Sequence, residues 1–434
     1  MKKEKLLSPT AVFLLGVNSI IGSGIFLLAG KMYKNAGTWS ILAIILAALS
    51  LTVIAFAYAN MSKLYPQNGG AFVYAKESFG RFPGFIIGMV TWILGTVTLA
   101  TEVSALLTGL KMILSTLNIR LIGLILIFAM GLVSYFGASI LKKLDDLTSY
   151  IKILIVLAVI GVCSWLVRGV HFGDFVPNIA TSSGFLGFLT AYGTVFFLYN
   201  AISFLPVNAE KMENPRKNLP RVMVRVMVAT TIAYVLIQAI TIGALGSRLT
   251  DYAVPAAVAF SKLIGPIGQP LVVSAIGLSI FGVLVTVAFN APTILASLAM
   301  AHEDVPELVA KKSRFGTPTG AIVLTTLGAA AIFLSGNFIF LSGLTVFMSF
   351  VQYVSTGLAN IKNKFIWTGA GTVVFAMVLL LSFTGQILMF GFTILAVLAT
   401  FYFIVKLDDE ARELWLKKYG HEAKNVKVNA EKQL

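Results

Sequence analysis

Three small residues interrupt an apolar stretch near the start of the chain. Gly22, Ser23 and Gly24 follow Ile20 within a charge-free run from 6 to 30. Each glycine inside a helix costs roughly 1 kcal/mol relative to alanine, and packing motifs in membranes space their glycines four apart, not two. Backbone that leaves a helix inside a bilayer is tolerated only where it lines a cavity. The pattern favours an unwound segment whose N–H groups face a ligand, with close helix packing as the alternative.

A second polar interruption lies in the charge-free stretch from 175 to 209. Asn200, Ser203 and Pro206 cluster in its middle, just before the polar run 210–215. Interrupted apolar segments at corresponding positions of two halves are the best sequence pointer to a transporter binding site. The two interruptions therefore predict such a site between them.

Two ionisable side chains, Glu102 and Lys152, lie inside otherwise apolar segments. Such groups are costly in a bilayer and are functional candidates by default. Glu102 follows the Pro83-Gly84 pair by about 18 residues, or roughly 27 Å of helix. A straight helix would place it near the external face, whereas a long tilted helix would place it near the predicted site, and the sequence leaves both open.

The remaining reactive side chains form no catalytic or metal-binding set. One cysteine and three scattered histidines offer no group of ligands at metal spacing. The GxxxxGK[ST] loop that an ATP-driven pump needs is absent, and so are the paired acids or Ser/His set of an intramembrane enzyme. A channel would need a continuous polar pore, whereas the polar residues here concentrate at the two interruptions. We expect a protein that is not an enzyme, with no catalytic residue, metal or cofactor.

The composition identifies the elements that must position these residues. The 434 residues are 58% hydrophobic and only 12% charged, with a mean hydropathy of +0.90, whereas a soluble domain carries roughly 25% charged residues. A soluble enzyme or DNA-binding module is excluded. Since a membrane helix needs about 20 apolar residues, the sequence predicts an all-α polytopic membrane protein with twelve transmembrane helices, near 10–30, 39–62, 84–110, 120–137, 147–167, 185–208, 222–245, 271–299, 319–335, 338–359, 366–383 and 387–405.

The distribution of basic residues predicts the orientation. Loops on the cytoplasmic side of a membrane carry an excess of Lys and Arg. With both termini in the cytoplasm, only seven of the 33 basic residues fall outside, namely Lys31, Lys34, Lys111, Arg120, Arg168, Arg248 and Lys262. The net charge of +15 thus indicates how the chain is oriented in the membrane, and we expect no nucleic-acid partner.

The two interruptions lie in predicted helices 1 and 6, which are five helices apart. This spacing fits two five-helix repeats of opposite orientation. It predicts a first inverted repeat at 1–167, a second at 168–360, two further helices at 361–405 and a cytoplasmic tail at 406–434.

Four segments resemble the amino acid–polyamine–organocation superfamily and occur in the order typical of it: IGSGIF at 21–26, YPQNGGAFVY at 65–74, EKMENPRKNLP at 210–220 and FGTP at 315–318. The resemblance implies the leucine-transporter fold, a 5+5 inverted repeat with discontinuous helices 1 and 6. It also implies alternating access for amino acids or amines across the cell membrane.

The resemblance further implies how a substrate is held. Ser23 and Gly24 would bind the substrate carboxylate, which suits a half-helix N-terminus with its unpaired N–H groups and partial positive charge. Backbone carbonyls around Ile20, Phe197 and Asn200 would bind the substrate ammonium. Phe197 matches an aromatic position that closes over the substrate, with ordinary packing as the alternative.

Lys152 matches a lysine common in sodium-independent members of the superfamily. There it would replace sodium as the cation that bridges helices 5, 1 and 8, through carbonyls near Ile20–Gly22 and the hydroxyl of Ser279. Snorkelling to the cytoplasmic surface is the alternative. Because burial lowers the proton affinity of a lysine, its charge could change during the cycle, which makes protons a candidate coupling ion.

Ser203 stands where the superfamily often has an acid. A buried ammonium without a counter-charge loses several kcal/mol of solvation, so we expect neutral amino acids to be preferred. The chain is thus interpreted as a sodium-independent secondary transporter of amino acids, driven by proton symport or by exchange. The alternatives are an amino acid/polyamine antiporter for a cationic substrate and a non-transporting nutrient sensor of the same fold.

Overall fold

A computed structural model describes residues 8–65, 70–112, 118–137, 161, 184–200, 202, 205, 212–301 and 305–407. Over these ranges the chain folds into α-helices joined by short turns, with no β-strand. The all-helical membrane architecture predicted from composition is therefore confirmed.

The first predicted helix is divided at its centre. Helix α1 (Pro9–Ile20) begins at Ser8, whose side chain accepts a hydrogen bond from the Ala11 amide at 3.2 Å. The chain leaves helical geometry after Ile20 and re-enters it as α2 (Gly24–Leu27), directly followed by α3 (Ala29–Ala36). The break covers residues 21–23, beside the start of α2 at Gly24, in the segment where the sequence predicted an interruption.

Helices α4 to α7 complete the described part of the first half: α4 (Ser40–Leu64), α5 (Ala71–Phe79), α6 (Arg81–Lys111) and α7 (Ile119–Phe136). The short α5 lies between Gly70 and Gly80, whose φ angles of 56° and 95° reverse the chain at each end. At 31 residues, α6 is about 46 Å long, well beyond the roughly 30 Å of a hydrocarbon core. It can therefore cross the membrane only with a tilt or with an end outside the core.

The second half contains α8 (Gly184–Leu198), α9 (Pro215–Leu245), α10 (Pro255–Ile264), α11 (Gly268–Ala301), α12 (Thr319–Ser335), α13 (Phe338–Lys362), α14 (Ile366–Leu380) and α15 (Gly385–Leu407). In the described ranges, eight helical stretches are long and apolar enough to span a membrane, and α8, α10, α12 and α14 are shorter apolar helices. Predicted helix 5 (147–167) lies almost entirely outside the described residues.

The interior is built around α6, which packs against α11 and α13. Its threonines satisfy their hydroxyls locally: Thr91, Thr98 and Thr101 each donate to the carbonyl four residues earlier, at 2.6–2.7 Å. Polar side chains can therefore lie in an apolar interior without losing a hydrogen bond.

The outer surface of α7 is apolar. Leu121, Ile125, Phe128 and Leu132 are each at least half exposed and share one helix face. In a bilayer this face is turned to lipid.

Candidate functional site

The break in the first helix brings backbone polar groups to the buried centre of the protein. Ile21 is extended, with φ −76° and ψ 96°, and α2 starts afresh at Gly24. The first amides of a helix have no acceptor within it, so α2 offers N–H groups at this depth. The Ser23 side chain is fully buried, and its hydroxyl has no hydrogen-bond partner among the described residues. Such a hydroxyl costs free energy until a ligand engages it.

The second break lies at the end of α8. Regular helix stops at Leu198, and the next bonds are of the tighter 3₁₀ type, from the Tyr199 amide to the Phe196 carbonyl (3.3 Å) and from the Ile202 amide to the Tyr199 carbonyl (3.0 Å). Asn200 lies in this turn and is only 5% exposed. Asn200 thus lies where the regular helix has ended.

The two breaks meet at a cavity of about 30 Å³. Its walls come from α1, α2, α6, the end of α8 and α11, and its lining residues are Ser19, Ile20, Gly22, Gly24, Thr98, Glu102, Phe197, Leu198, Asn200, Val283, Thr286 and Val287. A water molecule needs at least about 10–15 Å³ of such space, so the cavity holds about two waters and no amino acid. A bound amino acid would therefore require an expansion of this cavity.

Most of the site residues singled out in the sequence come together here. The ones that line the cavity are Ile20, Gly22, Gly24, Glu102, Phe197 and Asn200. Ser23 lies between two lining glycines but does not itself line the cavity, and Ser279 donates to the Ile21 carbonyl at 2.8 Å. Lys152 and Ser203 lie outside the described residues. No group of three His, Cys, Asp or Glu side chains suited to a metal ion occurs in the part of the chain that the structure describes.

Glu102 faces the cavity. It is 4% exposed, and its Oε1 atom would lie 3.1 Å from a Cβ atom built on Gly22. Of the two placements that the sequence left open, the structure has Glu102 beside the cavity at the two breaks. Glu102 reaches the cavity because α6 packs along α11, which also lines it.

Phe197 and Leu198 close the cavity against Gly24. A Cβ on Gly24 would lie 3.0 Å from Cδ1 of Leu198 and 3.1 Å from Cδ1 of Phe197, tighter than ordinary van der Waals contact. The Phe197 ring also packs edge-on against Phe338, with centroids 5.8 Å apart. Phe197 thus lines the cavity and packs against α13 at the same time.

Sequence reasoning missed a tyrosine that joins the two breaks. The Tyr234 hydroxyl on α9 lies 2.9 Å from the Ile20 carbonyl and 2.9 Å from the Leu198 carbonyl, the last residues of α1 and α8. The available signal was a tyrosine in the middle of an apolar helix, since a buried phenol needs a partner. Which partner it finds depends on how the helices pack. Thr98 and Leu198 were missed for the same reason.

Comparisons with known proteins agree with this architecture. The amino acid permease family model matches residues 7–415. The uncharacterized transporter Rv1979c of Mycobacterium tuberculosis is 26% identical over 387 residues, covering 81% of this chain and 78% of that protein. The branched-chain amino acid permease BcaP of Bacillus subtilis is 28% identical over 253 residues, 53% of each chain.

Among solved structures, the nucleobase-cation-symport-1 family transporter Mhp1, in a closed conformation with bromovinylhydantoin bound, superposes with a TM-score of 0.55. It is 14% identical and covers 83% of this chain and 78% of its own. That likeness concerns the fold alone. With a family model that spans nearly the whole sequence, this chain belongs to the amino acid permease family, within the amino acid–polyamine–organocation superfamily.

Proposed function

We propose that this permease is a sodium-independent secondary active transporter of amino acids that works by alternating access in the cell membrane. The observation that carries the proposal is the cavity where the two helix breaks meet, lined by Gly24, Phe197 and Asn200. The proposal includes inverted repeats at 1–167 and 168–360, predicted helices 11 and 12 at 361–405, and both termini in the cytoplasm.

In the proposed complex, the substrate carboxylate binds the first amides of α2 and the hydroxyl of Ser23. This assignment is supported by the buried, unpartnered Oγ of Ser23 and by the contact of Gly24 with Phe197 and Leu198. Only a residue without a side chain leaves the α2 amides accessible from the cavity. For the carboxylate to enter, Phe197 and Leu198 must move away from Gly24.

The substrate ammonium binds near the carbonyls that end α1 and α8, around Ile20, Phe197 and Asn200. Carbonyls at a helix C-terminus carry a partial negative charge that favours a cation. Glu102 adds a carboxyl group to the same cavity, close to Gly22.

Neutral amino acids are the proposed substrates, with apolar side chains facing Val283 and Val287. The name of the relative BcaP, a branched-chain amino acid permease, agrees with such a substrate. Protonated Glu102 leaves the cavity without a net charge. A second candidate follows from the same residue: ionised Glu102 would supply the counter-charge that a cationic substrate needs.

For coupling, we propose that Lys152, Ser279 and Glu102 act together. Ser279 already bonds the Ile21 carbonyl inside the break, so α11 is tied to the segment that must rearrange. Lys152 would supply the cation that bridges predicted helices 5, 1 and 8 in place of sodium; predicted helix 8 is α11 of the structure. A change of protonation at Lys152 or Glu102 would then link the break to a proton gradient.

Uptake into proteoliposomes tests the proposal. Radiolabelled L-leucine, L-alanine and L-arginine are offered with and without sodium and with an inward proton gradient, and again after loading the vesicles with unlabelled substrate. We expect leucine uptake without sodium, driven by the proton gradient or by internal substrate. Uptake that requires sodium would refute the coupling, dominance of arginine would favour the cationic alternative, and the absence of any flux would refute transport of these substrates.

A further inference from the structure

A proline lies inside helix α11, close to the cavity. Pro292 is buried within the Gly268–Ala301 helix. Because a proline has no N–H group, the carbonyl four residues earlier, that of Ala288, lacks the regular donor of an α-helix. Inside a bilayer such a carbonyl is tolerated where a neighbouring helix or a Ser or Thr side chain satisfies it. The sequence of α11 therefore calls for a donor from another helix near Ala288.

Ser134 of α7 supplies such a donor. Its Oγ atom donates to the Ala288 carbonyl at 2.8 Å, and the residue is 4% exposed. Other buried hydroxyls, such as those of Thr91 and Thr98, donate instead to the carbonyl four residues earlier in their own helix. Ser134 contacts the very carbonyl of α11 that Pro292 leaves without its regular donor, so its hydroxyl takes the place of the missing amide.

This contact lies directly beside the cavity wall. Val283 and Val287 of α11 line the cavity, and Ala288 follows Val287 in the chain. On another side of the same turn, α6 approaches closely, since a Cβ atom built on Gly95 would lie 2.7 Å from the Cβ atom of Ala291. Helices α6 and α7 thus both contact α11 about one turn from the valines of the wall.

Helices bend sharply at prolines, where a backbone hydrogen bond is missing. We propose that Ser134 is a positioning residue that holds the Ala288 carbonyl and so prevents α11 from bending at Pro292. The helix then keeps Val283 and Val287 at the cavity wall, where a long apolar side chain of a substrate contacts them and a short one does not. This last step rests on the proposed function, because it assumes that a substrate side chain faces these valines.

A double-mutant cycle with Pro292→Ala tests whether the hydroxyl replaces the missing amide. Ser134→Ala alone leaves a buried carbonyl without its donor, so we expect the equilibrium constant for unfolding in detergent to rise about tenfold. Pro292→Ala restores an N–H group where α11 lacks one, and in that background Ser134→Ala should change the constant by less than about twofold. Equal effects in both backgrounds would mean that the hydroxyl contributes only ordinary packing, and would overturn the inference.

Ser342→Ala is the matched control. Ser342 on α13 is 2% exposed and donates to the Ile339 carbonyl at 2.8 Å. The residue four positions after Ile339 is Gly343, which has an N–H group, so this carbonyl keeps a donor when the hydroxyl is removed. The effect of Ser342→Ala should therefore be the same with and without Pro292→Ala. If it also depended on Pro292→Ala, the coupling at Ser134 would be a general effect of the proline replacement and the inference would fall.

Uptake by proteoliposomes tests the effect on the cavity wall. We expect Ser134→Ala to raise the KM for L-leucine about fivefold and the KM for L-alanine by less than about twofold, at nearly unchanged maximal rates. In the Pro292→Ala background, Ser134→Ala should leave both KM values unchanged. An unchanged KM for leucine, or equal changes for the two substrates, would overturn the positioning role while leaving transport by the wild type intact. Absence of uptake by the wild type itself would overturn the proposed function, and the positioning role with it.

Discussion

A side chain at Gly24 should block the proposed site. The Cβ of any replacement would lie 3.0–3.2 Å from atoms of Phe197 and Leu198, so even alanine requires a shift of a few tenths of an ångström. A leucine adds three further carbons where the cavity has room for about two water molecules. Overpacking of this kind costs about 1–3 kcal/mol, equivalent to roughly 5- to 150-fold in an equilibrium. Because the leucine also occupies the place of the substrate, we expect Gly24→Leu to lower uptake by about 100-fold or more, and Gly24→Ala to raise KM by about 3- to 10-fold.

The assay is initial-rate uptake of L-leucine by proteoliposomes that contain equal amounts of folded protein. Gly277→Ala is the matched control for the alanine variant, since a Cβ there meets only Cδ1 of Leu106, at 3.7 Å. Ala396→Leu is the control for the leucine variant, because that position on α15 is exposed on the outer surface. Wild-type uptake by Gly24→Leu would refute the assignment of the carboxylate site. An equal loss in Ala396→Leu would show that the effect is a general one on the membrane helices.

Three further substitutions test the proposed proton coupling and the hydrogen bonds that join the two helix breaks. Glu102→Gln keeps the size of the side chain but cannot release a proton, so we expect leucine uptake that no longer rises when the outside is acidified; an unchanged pH profile would remove Glu102 from the coupling. Lys152→Ala should slow uptake or shift its pH dependence while leaving it indifferent to sodium, as flux measured over a pH series with and without sodium would reveal. Tyr234→Phe removes the donor shared by the Ile20 and Leu198 carbonyls. It should lower the free energy of unfolding, measured by chemical denaturation in detergent, by about 1–3 kcal/mol. An unchanged free energy would mean that these carbonyls find other partners.

The helix breaks could be predicted from the sequence because their signal is local. Gly22 and Gly24 stand two apart around a serine, and Asn200 lies just before a polar run, so residue type and spacing alone indicate where helical structure fails. The structure has both interruptions at these places, with α1 ending at Ile20 and α8 at Leu198. The predicted roles of these residues in binding remain predictions.

The depth of Glu102 could not be predicted, because it depends on the tilt of a helix. Counting from Pro83 assumes a helix that crosses the membrane along its normal, whereas α6 begins at Arg81 and continues to Lys111. The position of its middle depends on packing against α11 and α13, which are distant in sequence. The partners of Tyr234 could not be predicted for the same reason, since its hydroxyl contacts carbonyls 36 and 214 positions away.

The hydrogen bonds at the two helix breaks bear on how the proposed transport cycle could proceed at low cost. The one Tyr234 hydrogen is shared between the carbonyls that end α1 and α8, and Ser279 donates to the carbonyl of Ile21, so hydroxyls already contact carbonyls that a substrate ammonium would use. An arriving ammonium would then exchange one donor for another, and such an exchange changes the free energy by far less than the 4–6 kcal/mol that an isolated hydrogen bond is worth, about 1 kcal/mol in net terms. These hydroxyl contacts therefore suit a transporter in which the ends of α1 and α8 pack together without substrate and separate when substrate binds.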